Sequence, residues 1–236
     1  MLFSSNVFLF TFLPLVLLLY YLAPRNLRNP VLLIFSLIFY GWGEPVYVLL
    51  MIAVILLNYA FGILIHRRQQ QNKSAGMVLA LGITANLLIL GFFKYSGFFC
   101  RQLQAVFPGL SGWSLPQIVL PIGISLYIFQ SMSYVIDVYR KDVAVQKNSL
   151  TFGTYVTLFP QLIAGPIVRY KDVAQQLEHR QENLADFSSG VLLFIIGLSK
   201  KVLLANPMGN LWNLLQSQPG TLCAWVGLCA YTPVRL

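Results

Sequence analysis

The 236-residue chain is 57% hydrophobic and 10% charged, and its formal net charge is +9 at pH 7. A soluble globular protein has about a quarter of its residues charged, so these proportions exclude an ordinary water-soluble domain. The basic residues flank apolar runs rather than forming a long basic tract, so the positive charge speaks for membrane topology and against a nucleic-acid partner.

Uncharged stretches cover residues 1–24, 45–65, 74–93, 102–136, 148–168 and 202–234. Several reach the about 20 apolar residues that a helix needs to cross a bilayer. They are continuous rather than alternating, which argues for helices and against a β-barrel. The first predicted helix is 7–22. No Lys or Arg precedes it, and Tyr20-Tyr21-Leu22 stands where a signal peptidase needs small residues. It therefore reads as a retained membrane helix. Arg25 and Arg28 follow, so this end is expected in the cytoplasm and the N-terminus outside.

A second, short helix over 31–40 returns outward to Gly41-Trp42-Gly43-Glu44-Pro45, where Trp42 and Tyr47 suit an interfacial aromatic belt. The third, 47–65, crosses inward and stops at His66-Arg67-Arg68, before a polar loop over 69–74. The fourth, 77–93, crosses outward. Residues 94–115 mix aromatics with Arg101, Pro108, Gly109, Gly112 and Trp113, and are expected to form an interfacial helix and loop. The fifth helix, 118–138, runs inward and ends at Asp137-Val138-Tyr139-Arg140-Lys141.

Residues 150–168 are long enough to span. However, Pro160, Gly165 and Pro166 interrupt them, and Lys147, Arg169 and Lys171 put positive charge on both sides. A re-entrant or broken helical segment is expected, and such backbone is tolerated at membrane depth only inside protein or along a polar cavity. A short surface helix follows over 171–186, with Val173, Leu177 and Leu184 on one face. Asp186, Ser188 or Ser189 can cap the next helix, 187–204, which Asn206-Pro207 should end. A last membrane helix begins at 222–231. The fold class expected is all-α: a polytopic transmembrane helical protein with a broken or re-entrant segment, in one membrane domain over 1–236.

Candidate site residues follow from polar groups in apolar surroundings. Gln161 brings amide donors and an acceptor beside a break, Gly165 permits close backbone approach, Pro166 fixes a bend, and Arg169 closes the motif. The alternative is a kink needed for packing alone. Gln130 and Asp137 are candidate buried polar residues, and Asp137 can pair with Arg140 and Lys141 at i+3 and i+4 or simply meet water at a helix end. Lys200 and Lys201 interrupt an apolar run, either as a functional charge or as side chains that snorkel to the interface. His66 and His179 are the only histidines, both in polar, solvated contexts. Cys100, Cys223 and Cys229 form no C-x-x-C pair and read as packing residues, with neither a disulfide framework nor a metal site.

Five stretches together carry a resemblance: PIGISLYIFQSMSYVIDVYRK from Pro121, FPQLIAGPIVRYKD from Phe159, GLSKKVLLAN from Gly197, the opening LFSSNVFLFTFLPLVLLLYYL, and FYGWGEP at Phe39. They resemble the bacterial membrane-bound O-acyltransferase family, in its alginate O-acetylation branch, from the start of the chain to Thr232. The resemblance implies transfer of an acyl group to a hydroxyl of an exported polysaccharide such as alginate. It implies an acyl donor (acetyl-CoA or an acyl carrier) with no resident cofactor, and periplasmic or membrane acetylation partners. It also implies membrane lipid around the chain, a polysaccharide acceptor and a bacterial inner-membrane location. The family's catalytic histidine lies further along and would act as general base, so no catalytic residue is expected within 1–236. Residues 233–236 depart from the family's aromatic helix and read as an aberrant end of a truncated front portion that is inactive alone. The alternative is a transporter-like or scaffold membrane subunit that passes acyl groups or lipid.

Overall fold

The computed structural model describes residues 3–106, 120–162, 168–178, 180, 182–216 and 220–232. Every regular element among them is helical, as the apolar runs require. A π-helical turn (Phe8–Phe12) leads into α1 (Leu13–Leu22), and a 3-10 turn (Arg25–Leu27) leads into α2 (Arg28–Gly43). Then come α3 (Tyr47–Gln70), α4 (Gly76–Val106), α5 (Ile124–Arg140), α6 (Ser149–Thr157), α7 (Phe159–Leu162) and α8 (Tyr170–Glu178). The chain continues with α9 (Leu184–Ser199), a π-helical stretch (Lys200–Ala205), α10 (Asn206–Leu215) and α11 (Thr221–Tyr231). Three helices are long and apolar enough to cross a membrane: Tyr47–Gln70, Gly76–Cys100 and Leu184–Leu215. The chain forms two compact units, one of residues 15–180 and one of residues 2–14 with 181–236.

The core of the first unit is built on α5, which packs against α3 and α4. Met51, Val54, Ile55 and Ile65 from α3 meet Tyr127, Ile128, Tyr134 and Val135 from α5. Glycine makes one of these contacts possible, because a Cβ at Gly62 would stand 2.9 Å from the Tyr134 ring. Between α3 and α4, Asn58 and Asn86, both fully buried, exchange amide hydrogen bonds of 2.9 and 2.8 Å. Each also donates to a carbonyl one turn earlier in its own helix (Val54 O and Gly82 O). Two isolated polar residues in apolar helices thus satisfy one another.

The expected broken segment is broken, at Leu158 (φ −48°, ψ 110°) between α6 and α7. Pro160 falls in the first turn of α7, where its missing N–H costs nothing. The Phe159 N–H instead bonds Ser36 Oγ on α2 (3.2 Å). All of Thr151 to Thr157 is buried, so α6 is a helix enclosed by protein, about 14 Å long from its nine residues. Gly165 and Pro166 lie outside the described residues, as do His179 and the chain end at 233–236.

Three expected boundaries are corrected. Residues 94–106 are not a separate interfacial element but continue α4, since no proline occurs before Pro108. Asn183, not Asp186, Ser188 or Ser189, caps α9: its side chain accepts the Asp186 N–H at 2.7 Å, and its Nδ2 returns a bond to Asp186 Oδ2. Asn206-Pro207 does not end the helix. The π-helical stretch shifts the hydrogen bonding by one residue, so that Asn206 N–H reaches Lys201 O. Pro207 then sits in the opening turn of α10, and one rod runs from Leu184 to Leu215.

In the second unit α10 and α11 pack as a hairpin. Gly227 lets the Trp212 ring lie against α11, where a Cβ would stand 3.1 Å from it, and Trp212 also meets Tyr231 with centroids 5.1 Å apart. No residue of α9 or α10 is buried.

Candidate functional site: a polar stripe on α5

Helical periodicity places Tyr127, Gln130, Ser131, Tyr134 and Asp137 on one face of α5, and all five are buried. A buried polar group needs a partner, so the partners define the site. Gln130 Nε2 donates to the Tyr155 carbonyl at 2.9 Å. That carbonyl lacks a helical partner because α6 stops at Thr157, which leaves the last turn's acceptors open. Gln130 therefore seals the break. Ser131 Oγ donates to Tyr127 O within its own helix (2.7 Å).

Further along, the stripe joins a hub around Gln146. The Gln146 backbone N–H donates to the Tyr134 hydroxyl (3.0 Å). Its side-chain Nε2 donates to the Tyr170 hydroxyl (2.9 Å) and to Glu178 Oε1 (2.8 Å), and its Oε1 accepts from Asn148 N (2.9 Å). The Tyr155 hydroxyl donates to Val168 O at 2.9 Å. Around these bonds the Tyr134 ring lies tilted against Phe152 (4.6 Å between centroids) and meets Tyr170 edge-on (5.0 Å), and Tyr155 does the same with Tyr170 (5.1 Å). Burial raises the Tyr170 hydroxyl above its ordinary value and the Gln146 contact opposes this, so the phenol stays protonated and available as a hydrogen-bonding group.

Among the described residues Asp137 Oδ2 and Gln161 Nε2, both buried, complete no hydrogen bond, and the buried Tyr40 and Tyr127 hydroxyls have only each other. Asp137 lies near the far end of α5, whereas Tyr40, Tyr127 and Gln161 sit where α2, the start of α5 and α7 converge: Phe39 meets Phe159 (5.5 Å), and Leu162 O lies where a Cβ on Gly123 would stand 3.1 Å away. Gly123 occupies this point with φ +74°. The expected pairing of Asp137 with Arg140 and Lys141 does not form. Arg140 Nε instead pairs with Asp142 Oδ2 at 3.4 Å in solvent, and Asp137 is 5% exposed.

Of the residues singled out in the sequence, the structure thus places Gln130 and Asp137 on the stripe and Gln161 on α7 beside the start of α5. Arg169 is exposed just ahead of α8. Lys200 and Lys201 are exposed on the π-helical stretch of the second unit. Tyr40, Tyr127, Tyr134, Gln146, Tyr155 and Tyr170 were not singled out. The two α5 residues, Tyr127 and Tyr134, fall with Gln130 and Asp137 on the three-and-four spacing of polar and aromatic groups in ISLYIFQSMSYVID. Gln146, in a loop among charges, has no local signal.

His66 is half-buried rather than fully solvated, and with Gln69, Gln70, Lys141 and Asp142 it lines a pocket of about 470 Å³. None of the three cysteines forms a disulfide. Among the described residues, no group of His, Cys, Asp and Glu could hold a metal ion.

No protein-family model matches the chain, and no solved structure matches it. Curated proteins do. A protein of Azotobacter vinelandii named "Probable alginate O-acetylase AlgI" is 42% identical over 98% of this chain and 47% of its own length. The Pseudomonas putida protein of the same name is 43% identical over 98% of this chain and 49% of its own. A Helicobacter pylori peptidoglycan O-acetyltransferase is 30% identical over 87% of this chain and 45% of its own. The chain spans about half the length of the curated relatives it matches. Along nearly all of its own length, then, the chain is similar to proteins named for alginate and peptidoglycan O-acetylation, the likeness that the motifs from Pro121, Phe159 and Gly197 imply.

Proposed function

We propose that this chain builds one wall of a membrane O-acyltransferase site that acetylates an exported polysaccharide, within one membrane domain of the bacterial inner membrane. The observation that supports this reading is the convergence of α2, the start of α5 and α7, where Gln161 Nε2 finds no partner among the described residues and the Tyr40 and Tyr127 hydroxyls have only each other. Such groups are costly to bury alone, about 1–3 kcal/mol each, and a substrate or a further segment would satisfy them. Gln161 and the motif around it, with Gly165, Pro166 and Arg169, would stand beside the reacting groups. Gln130 and Asp137 would hold the wall in shape, and Lys200 and Lys201 would face the cytoplasmic lipid surface.

In the reaction, an acceptor hydroxyl attacks the acyl carbonyl of a thioester donor such as acetyl-CoA or an acyl carrier. The new ester C–O bond forms, the C–S bond breaks, the hydroxyl proton passes to a base, and the donor's thiol leaves. The base expected from the resemblance is a histidine. His66 lies at the end of α3, away from the α5 stripe's converging end, so residues 1–236 alone are proposed to be inactive. The test is ester-linked acetate on the polymer of a strain lacking its own acetylase. Cells that carry residues 1–236 alone should show none, and cells that carry these residues joined to the remainder of an alginate O-acetylase should show it. Acetate from residues 1–236 alone would sink the claim of inactivity. Its absence from the joined protein would sink the acyltransferase reading.

A further inference from the structure

The pocket at the ends of α3 and α5 serves none of the chemistry described above. Its floor is apolar: Val138 and Val145 are buried and Val143 is half-buried. Its rim is polar and carries His66, Gln69, Lys141 and Asp142. Asp142 is already engaged by Arg140, and Arg67 and Arg68 follow His66 directly on α3. The free balance of the rim is therefore cationic. Because α3 is long and apolar enough to cross a membrane, its last turn would stand where a bilayer's headgroups begin. An apolar floor below a cationic rim at that depth has the polarity of a phospholipid: glycerol and upper acyl carbons below, phosphate above.

Lys141 adds an independent observation. It caps α5 at φ +64°, with its N–H on Val138 O (3.1 Å) while Asp142 N–H closes on Asp137 O (2.9 Å). Glycine or asparagine normally takes this left-handed position, since other L residues are strained there. Strain retained at a cap is a pointer to use of the side chain. The loop behind it is rigidly seated, because Gln146 is held from beneath by Tyr134, Tyr170 and Glu178. The pocket wall is therefore preformed.

We propose that this pocket is a binding site for the headgroup of an anionic phospholipid, with Lys141 and His66 on its phosphate. The site lies at the opposite end of α5 from the α2–α7 convergence and does not depend on the acyltransferase reading.

The test is native mass spectrometry of the 236-residue chain, released from bilayers of phosphatidylglycerol and phosphatidylcholine in equal parts, together with its melting temperature. The wild type should retain one phosphatidylglycerol in about tenfold preference. Lys141→Asn with His66→Gln should reduce the preference to about twofold or less. Lys141→Asn alone should leave the melting temperature in phosphatidylcholine unchanged or raised, because Asn tolerates the left-handed conformation better. Lys94→Asn, on α4, should change neither reading. Equal retention of the two lipids by the wild type would overturn the proposal, and so would a preference that survives the double substitution. Displacement of the bound lipid by micromolar coenzyme A would overturn it too, by assigning the pocket to a soluble phosphate ligand.

Discussion

Asn58 and Asn86 show how a single polar residue can be tolerated in an apolar helix. Each amide is fully buried, and each is satisfied by the other and by a carbonyl of its own helix. Replacing one partner leaves the other amide buried with unmade bonds, whereas replacing both removes the demand. Asn58→Leu should therefore cost about 1–3 kcal/mol and lower the melting temperature in detergent. Asn58→Leu with Asn86→Leu should recover part of that loss. A double variant less stable than the sum of the singles would mean that the pair contributes more than mutual satisfaction. Gln146 is the same lesson in a loop: one side chain serves Tyr170, Glu178 and Asn148 at once, and its role depends on residues up to 32 positions away.

At the scale of elements, the broken segment and α5 are complementary. The break at Leu158 leaves the Tyr155 carbonyl open, and Gln130 closes it from the neighbouring helix. The start of α5 is held against the end of α7 at Gly123, where φ is +74° and a Cβ would crowd Leu162 O at 3.1 Å. Gly123→Ala would combine a left-handed backbone, which costs about 1–2 kcal/mol for a residue with a Cβ, with a contact that forces α7 away. The expected outcome is a lower melting temperature and faster proteolysis near residues 158–162. A stability equal to wild type would show that α7 moves freely from α5. Elsewhere, elements run past the ends that local signals suggest. α4 continues to Val106 because nothing in residues 94–106 stops a helix. The rod Leu184–Leu215 passes Pro207 because a π-helical stretch absorbs the missing donor. Composition signals a change of surroundings, whereas only a backbone conflict ends a helix.

At the scale of the molecule, three helices have the length and apolarity of membrane spans. The positive-inside bias predicts that the end of α2 lies outside and the loop after α3 inside. In a chain with Cys100, Cys223 and Cys229 replaced by serine, Gly43→Cys should react with a membrane-impermeant maleimide in intact spheroplasts. Lys73→Cys should react only after permeabilisation. The opposite pattern would invert the topology and place the His66–Lys141 pocket on the outer face.

The sequence by itself determined the helical class, three of the apolar spans, the broken segment and the resemblance to O-acetylating proteins, because runs of apolar residues, flanking charges and proline are local properties that lipid and backbone sterics read directly. It also held, unread, the spacing of Tyr127, Gln130, Tyr134 and Asp137. Only the tertiary structure decided which polar groups are satisfied. Gln130 could be assigned to the Tyr155 carbonyl only once α6 was seen to end there, and Asn58 to Asn86 only once α3 was seen beside α4. The expected pairing of Asp137 with Arg140 failed for the same reason: i+3 spacing permits contact, but packing turns Asp137 inward and leaves Arg140 in solvent with Asp142. A hydrogen bond is decided by the positions of both partners, and for these pairs the chain separation is too great for spacing to show it.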